Sequence, residues 1–292
     1  YRTALTLLNF DNSTTAPKGA IEFTSKAIGI LALENYNTLI NPEVKEILEA
    51  LSAEEVQEEL TENEKVIVKE LKKTFRDLEL IPPEEIQAYQ ILLAKADPVW
   101  EEAKNTNNYE LFAPVLEEII SYSKKFAGYK QKEGQKLYDV LLDEYEEGFT
   151  MEILDDFFGK LRASLVPIVH AVKEKSDFIS IDCLRKTYDI EVQKKLSRFM
   201  AEYIGFDFIR GVMAETAHPY TTNLHNHDVR ITNHYQENKL EDAIFSIVHE
   251  GGHALYEMGI SDELTLTPIG GGTSMGMHES QSRFYENNLA RS

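Results

Sequence analysis

The sequence predicts a mainly α protein with one small β-sheet. Its 292 residues contain only 15 glycines and 9 prolines, which fall between long amphipathic stretches. In those stretches apolar residues recur at the three- and four-residue spacing of a helix face. Alternation typical of a strand is concentrated in residues 228–235, where Val229 and Ile231 alternate with polar residues.

Long helices are expected along most of the chain. Residues 53–80 contain no glycine or proline and carry apolar side chains at helical spacing, which predicts one continuous helix. That helix should end before Pro82 and Pro83, because proline cannot continue a helix. Further helices are expected at residues 18–40, 84–104, 108–128, 150–174 and 189–204.

The β-branched segment 228–235 is predicted to be a short strand, with residues 219–222 as its candidate neighbour. A small sheet inside a helical protein often shapes a cleft. It also occurs as a purely structural element, and the segment alone leaves both interpretations open.

Composition and charge exclude several classes of protein. A hydrophobic content of 42% is too high for a disordered chain. The formal net charge of −20 argues against binding to nucleic acid or to an anionic membrane, because phosphate groups would be repelled. The apolar runs are far shorter than the roughly 20 residues of a membrane span. The one cysteine, Cys183, cannot form an internal disulfide, which favours the cytoplasm.

The histidines cluster in one part of the chain. Seven of the eight lie between His218 and His278, and such clustering indicates a metal or proton-transfer site. Residues 249–253 within this stretch have the sequence His-Glu-Gly-Gly-His, which is the H-E-x-x-H pattern of zinc peptidases.

The H-E-x-x-H pattern lies in a predicted helix that ends at Gly259. Asn238 and Glu241 have the spacing of a capping box at its start. His249 and His253 are one turn apart, on the face opposite the apolar residues, so both imidazoles suit one zinc ion. Glu250 lies beside them, where it can reach a water molecule without binding the metal.

A third ligand must come from another segment. Glu257 is eight residues, or about 12 Å of helical rise, beyond His249, which is too far for one ion. The best candidate is Glu279, on a helix expected after the glycine-rich loop 267–272. Glu263, in the loop, and Glu286, further along the second helix, are weaker alternatives.

Several blocks resemble the carboxypeptidase Taq family of thermostable metallocarboxypeptidases. Residues 249–257 resemble its zinc block, and residues 278–281 (His-Glu-Ser-Gln) resemble its second metal block. Residues 228–232 match its D-x-R-x-T block, and residues 218–220 match its H-P-F block with Tyr220 in place of phenylalanine.

This resemblance implies a large helical metallopeptidase with an H-E-x-x-H helix and a small sheet near the active site. It implies Zn²⁺, with Co²⁺ or another divalent ion as alternatives, bound by His249, His253 and Glu279. It further implies a peptide substrate, shortened at its C-terminus by a zinc-activated water with Glu250 as general base, and a homodimer.

Further side chains are candidates for supporting roles. The carboxylate of a peptide substrate needs a cation, and Arg230 is the candidate, although a salt bridge to Asp228 is an equal alternative. His218 and His234 are the other candidates for substrate binding. Glu257 is expected to orient a ligating imidazole, and His278 to support the site without binding the metal.

Two later blocks of the family, I-R-x-x-A-D and G-x-x-Q-D-x-H-W, have no match in this sequence. We therefore expect one helical domain, residues 1–292, that is incomplete: a helical N-terminal part, 1–130, and a part with the metal motifs, 131–292. A zinc endopeptidase or dipeptidase is an alternative. So is an inactive helical fragment that binds a metal or a partner without turnover.

Overall fold

The computed structural model describes residues 1–176 and 180–291. Helices dominate the fold, and three short strands are inserted between the tenth and eleventh helices. The elements in chain order are α1 (Arg2–Thr14), α2 (Ile21–Leu39), α3 (Pro42–Ala50), α4 (Glu54–Glu59), α5 (Glu62–Glu79), α6 (Pro83–Asn105), α7 (Tyr109–Lys130), α8 (Leu137–Tyr145), α9 (Met151–Lys173), α10 (Ile190–Tyr203), β1 (Gly211–Glu215), β2 (Thr221–His225), β3 (Asp228–Asn233), α11 (Leu240–Met258) and α12 (Met275–Arg283).

The first half of the chain is a layer of helices, in which α2 packs along α6 and α6 packs against α7. Gly29 permits the close contact between α2 and α6, because a Cβ atom there would lie 2.5 Å from Cγ1 of Ile91. The helices expected near residues 18–40, 84–104, 108–128, 150–174 and 189–204 are all present. Helices α1, α3 and α8 were not predicted.

The single helix expected over residues 53–80 is wrong. The chain forms two helices, α4 and α5, which are separated at Leu60 and Thr61. The hydroxyl of Thr61 accepts a hydrogen bond from the backbone amide of Glu64, and the side chain of Glu64 accepts one from the backbone amide of Thr61. This capping box satisfies the first amides of a new helix without any glycine or proline.

The sheet has the strand order β1–β3–β2, with β1 parallel and β2 antiparallel to the central strand. The expected strand is confirmed as β3, and its neighbour begins at Thr221 rather than at residue 219. Strand β1 was not predicted. Val229 and Ile231 are fully buried against Ile247 and Val248 of α11, so the sheet supports the helix that carries the histidines.

Helix α11 ends at Gly259, as predicted, but its expected capping box is wrong. Lys239 is the residue before the first turn, and the helix begins without a side-chain cap from the described residues. Glu241 is therefore the second helical residue, not the third, and is not placed for a capping box.

The structure also tests the expectation about membranes. Within residues 1–176 and 180–291, every helix is too short or too polar to cross a lipid bilayer.

Candidate metal centre

Three side chains from two helices converge on one point. His249 and His253 lie one turn apart on α11, and Glu279 faces them from α12. Oε2 of Glu279 is 3.5 Å from Nε2 of His249 and 3.4 Å from Nε2 of His253. Among the residues that the structure describes, this is the one cluster of histidine, cysteine or acidic side chains with three ligand atoms within 4.8 Å of one another.

The spacing of these atoms fits a zinc ion. Ligand bonds of about 2.0–2.1 Å at tetrahedral angles place ligand atoms about 3.3–3.4 Å apart. The distances from Glu279 to the two imidazoles, 3.4 and 3.5 Å, match this spacing, and all three ligand atoms lie within 4.8 Å of one another. Two imidazoles and one carboxylate are also a donor set of catalytic zinc sites, which keep a fourth position open.

Glu279 is held in its ionised form. Burial acts to raise its pKa, but a hydrogen bond from Arg283 and the nearby His249 outweigh this effect and lower the pKa below its usual range. The Arg283 bond, 2.7 Å long, goes to Oε1, which leaves Oε2 directed at the imidazoles.

Glu286 supports His249 rather than joining the ligand cluster. Its Oε2 lies 2.9 Å from Nδ1 of His249, and it is also bound by Arg283 and Arg291. Glu286 reaches this position because residues Phe284–Ala290 form a π-helical turn, which is wider than an α-helix. Glu263, the other alternative ligand, is exposed in the loop after α11 and lies outside the cluster.

Glu257 and His278 lie beside His253. Oε1 of Glu257 is 2.6 Å from Nε2 of His278, so Glu257 contacts His278 and not a ligand candidate directly. Nδ1 of His278 is in turn 2.6 Å from Nδ1 of His253. His278 therefore stands between a buried carboxylate and a ligand candidate.

Glu250 is almost entirely buried next to the cluster, with 7% of its surface exposed. Burial raises the pKa of its carboxyl group, and a hydrogen bond from Thr221 partly offsets the rise. The Thr221 hydroxyl donates to Oε2 of Glu250 at 2.6 Å, which fixes one oxygen of the carboxylate.

Glu250 and His249 line a cavity of about 620 Å³. His218 and His234, two of the expected substrate-binding residues, also line it. Four basic side chains contribute to its wall: Lys104, Lys239, Arg283 and Arg291.

The structure does not bring Arg230 or Asp228 to this cavity. Arg230 instead forms a two-pronged salt bridge with Asp228, at 2.9 and 2.8 Å, and its guanidinium lies over the ring of Phe10. The two residues are neighbours because positions two apart on a strand share one face. The salt bridge is thus the one of the two alternatives for Arg230 that the structure shows.

The geometry agrees with a comparison of the whole chain. Residues 1–292 match the family model described as carboxypeptidase Taq (M32) metallopeptidase. The chain belongs to the M32 family. It is 38% identical over 291 residues to carboxypeptidase 1 of Bacillus subtilis (strain 168), and 35% identical over 291 residues to thermostable carboxypeptidase 1 of Pyrococcus furiosus.

Solved structures of M32 proteins share the fold of this family member. The crystal structure of BsuCP matches with a TM-score of 0.96 and 37% identity, over 99% of this chain and 58% of that one. An M32 carboxypeptidase from Deinococcus radiodurans R1 matches with a TM-score of 0.84 and 33% identity, over 99% of this chain and 57% of that one. The alignments to the B. subtilis and P. furiosus relatives include 100% and 99% of this chain. They include only 58% of the length of each relative.

Proposed function

We propose that this M32 chain carries the metal centre of a zinc carboxypeptidase, which releases the C-terminal residue of a peptide. The observation that carries the proposal is the convergence of three ligand atoms, from His249, His253 and Glu279, within 4.8 Å of one another beside the buried Glu250. Family membership supports the same reaction class, since the relatives from B. subtilis and P. furiosus are carboxypeptidases by name.

His249, His253 and Glu279 would hold the ion, with zinc favoured by the two nitrogen donors and Co²⁺ or another divalent ion as an alternative. When bound, such an ion lowers the pKa of a water ligand and polarises a carbonyl oxygen. The chain's own contribution is to direct two Nε2 atoms and one carboxylate oxygen at a common point, next to an open cavity.

Glu250 is the proposed general base. It is adjacent in sequence to a ligand, lines the cavity and is outside the ligand cluster. Its raised pKa brings the carboxylate closer to the operating pH, where a base both accepts a proton and returns it to a leaving amine. Thr221 holds Oε2, so Oε1 is the oxygen left to take the proton.

The cavity favours a substrate with a free carboxylate. Four basic side chains line it; Arg283 and Arg291 contact Glu286, Lys239 lies 3.9 Å from Asp242, and Lys104 adds a further positive charge. Lys104 and Lys239 replace Arg230 as the proposed cations for this carboxylate, because they line the cavity and Arg230 does not.

The chain spans 58% of the length of the relatives it matches. Metal binding without turnover is the second candidate function. An assay on zinc-loaded protein separates the candidates, with a blocked tripeptide as substrate and its C-terminal amide as the control. Cleavage of the free acid alone supports a carboxypeptidase, cleavage of both indicates an endopeptidase, and zinc binding with no cleavage supports the second candidate.

We also propose that the protein forms a homodimer. All 23 residues of α9 are described and none is buried; Phe157, Phe158 and Val169 are among its exposed apolar side chains. Apolar surface of this extent is uncommon on a monomer. Sedimentation velocity tests the proposal, which fails if the protein sediments as a 33.4 kDa monomer at micromolar concentration.

A cytoplasmic location is proposed on the ground of the single, exposed thiol of Cys183.

A further inference from the structure

The pair formed by Glu257 and His278 is built more tightly than a surface contact. Glu257 is 5% exposed and accepts hydrogen bonds from Nδ2 of Asn223 at 2.5 Å and from the backbone amide of Gly272 at 3.0 Å, and its Oε1 lies 2.6 Å from Nε2 of His278. Both of its oxygens thus already accept from groups that can only donate, which favours Nε2 of His278 as a third donor.

These contacts relate the hydrogen positions on the two imidazoles. When His278 is neutral and its hydrogen is on Nε2, directed at Glu257, its Nδ1 is an acceptor. In that arrangement the hydrogen between the two Nδ1 atoms, which are 2.6 Å apart, belongs to His253. Nε2 of His253 is left bare and faces Glu279, and a histidine binds a metal through a bare nitrogen.

We propose that His278 is a positioning residue, held by Glu257, that keeps His253 in the tautomer with hydrogen on Nδ1. The inference rests on the proposed metal site, and it adds a relay of three side chains, Glu257–His278–His253, to that site. His249 receives the same support directly, from Glu286 at 2.9 Å. Each imidazole thus has its own carboxylate, and only the path to His253 passes through a second histidine.

The surroundings of His278 prevent its ring from turning away. A Cβ atom on Gly272 would lie 2.3 Å from Cδ2 of His278, so the loop backbone packs against the ring. The ring of Tyr256 meets it edge-on, with 5.2 Å between centroids. Asn223 ties Glu257 to strand β2, so a sheet strand, a loop and two helices define the position of one imidazole.

A charged His278 would have the opposite effect. With hydrogens on both ring nitrogens it would donate to Nδ1 of His253, and the hydrogen of a neutral His253 would move to Nε2. His253 would then have no bare nitrogen directed at Glu279. The two arrangements are distinguishable in the metal-free chain.

The first test is a long-range ¹H–¹⁵N correlation spectrum of the histidine rings in the metal-free 292-residue protein at pH 7. The relay predicts hydrogen on Nε2 for His278 and on Nδ1 for His253. Hydrogen on Nε2 of His253, or on both nitrogens of His278, would overturn it. Because this measurement needs no metal, it tests the relay even if the protein fails to bind zinc, which would count against the proposed function alone.

The second test compares His278→Asn with His278→Gln in zinc competition against a chelator. The asparagine oxygen occupies the position of Nδ1 and keeps an acceptor for His253, whereas the glutamine amide occupies the position of Nε2 and keeps only the contact with Glu257. We expect the zinc Kd to rise about 10–100-fold for His278→Gln and clearly less for His278→Asn. Equal Kd values for the two variants, or a wild-type Kd for His278→Gln, would contradict the relay.

A matched control is available at His227, an exposed histidine whose Nε2 lies 2.7 Å from Oδ1 of Asp262. The same two substitutions there remove a histidine–carboxylate pair that is separate from the zinc cluster. They should leave the zinc Kd unchanged. Thermal unfolding of all four variants checks that they remain folded. If either His278 variant is unfolded, the ¹H–¹⁵N spectrum of the wild-type protein alone tests the relay.

Discussion

The hydroxyl of Thr221 donates to Oε2 of Glu250 at 2.6 Å and so connects strand β2 to the helix that carries both histidines. Two residues further along the strand, Asn223 donates to Glu257 of the same helix. Residues two apart on a strand share one face, so β2 holds two buried carboxylates of α11 with consecutive inward side chains.

Replacing Thr221 with valine removes the donor while keeping the shape of the side chain. The ionised form of Glu250 loses a hydrogen bond that lowers its pKa, so the already raised pKa should rise further. A ¹³C titration of the carboxyl group measures this value. Thr222→Val, on the opposite face of the strand, is the control and should leave the pKa of Glu250 unchanged; an unchanged value in Thr221→Val would remove Thr221 from this role.

The substitution Glu250→Gln should separate metal binding from turnover. Glutamine cannot accept the proton, so hydrolysis should fall by about 10²–10⁴-fold in any form of the protein that shows activity. The zinc content should stay near that of the wild type, because Glu250 is outside the ligand cluster. Retention of a tenth or more of the wild-type kcat would eliminate Glu250 as the base.

The metal-free protein should lose stability as the pH falls from about 6.5 to about 4. Burial, together with the neighbouring His278 and His249, lowers the pKa of His253 from 6.5 to about 4. Over this range the unfolded chain takes up a proton that the folded chain does not, so the free energy of unfolding decreases by up to roughly 3 kcal/mol. Urea unfolding at several pH values measures the effect, and His253→Gln should show a shallower pH dependence; identical slopes would contradict the assignment.

Two neighbouring glycines provide a paired test of how the loop supports the site. In Gly272→Ala the new methyl group would lie 2.3 Å from Cδ2 of His278, so the ring must shift and zinc affinity should fall by about 10-fold or more. In Gly271→Ala the methyl group meets nothing within 4 Å, and the affinity should match the wild type. Zinc competition titrations measure the affinities of the two variants. Equal affinities would show that the loop has no part in positioning His278.

The sequence contained the information for the metal cluster but not for its supports. His249 and His253 were singled out by the H-E-x-x-H pattern and placed on one face by helical periodicity, and Glu279 by a second helix expected after a loop. The partner of Glu286 could not be predicted, because its contact with His249 depends on a π-helical turn with no clear sequence signal. The contact between Glu257 and His278 could not be predicted either, because it depends on the path of the loop at Gly272, whose backbone lies against both side chains.

Two features of the structure had a usable signal in the sequence. Thr61 and Glu64 have the spacing of a capping box, which marks a new helix even within a stretch that lacks glycine and proline. Asp228 and Arg230 are two residues apart on a strand, where opposite charges lie side by side. This spacing supports the salt bridge, which the sequence alone left as an equal alternative to substrate binding by Arg230.

The central claim, that His249, His253 and Glu279 together hold one metal ion, is tested most directly by calorimetric zinc titration of the wild type, Glu279→Gln and Glu263→Gln. Glu263 is an exposed carboxylate in the loop between the same two helices and serves as the control. We predict one zinc ion per chain for the wild type and for Glu263→Gln. For Glu279→Gln we predict a loss of affinity beyond the roughly 100-fold typical of residues that only support a ligand. Wild-type affinity in Glu279→Gln, or an equal loss in both variants, would contradict the account.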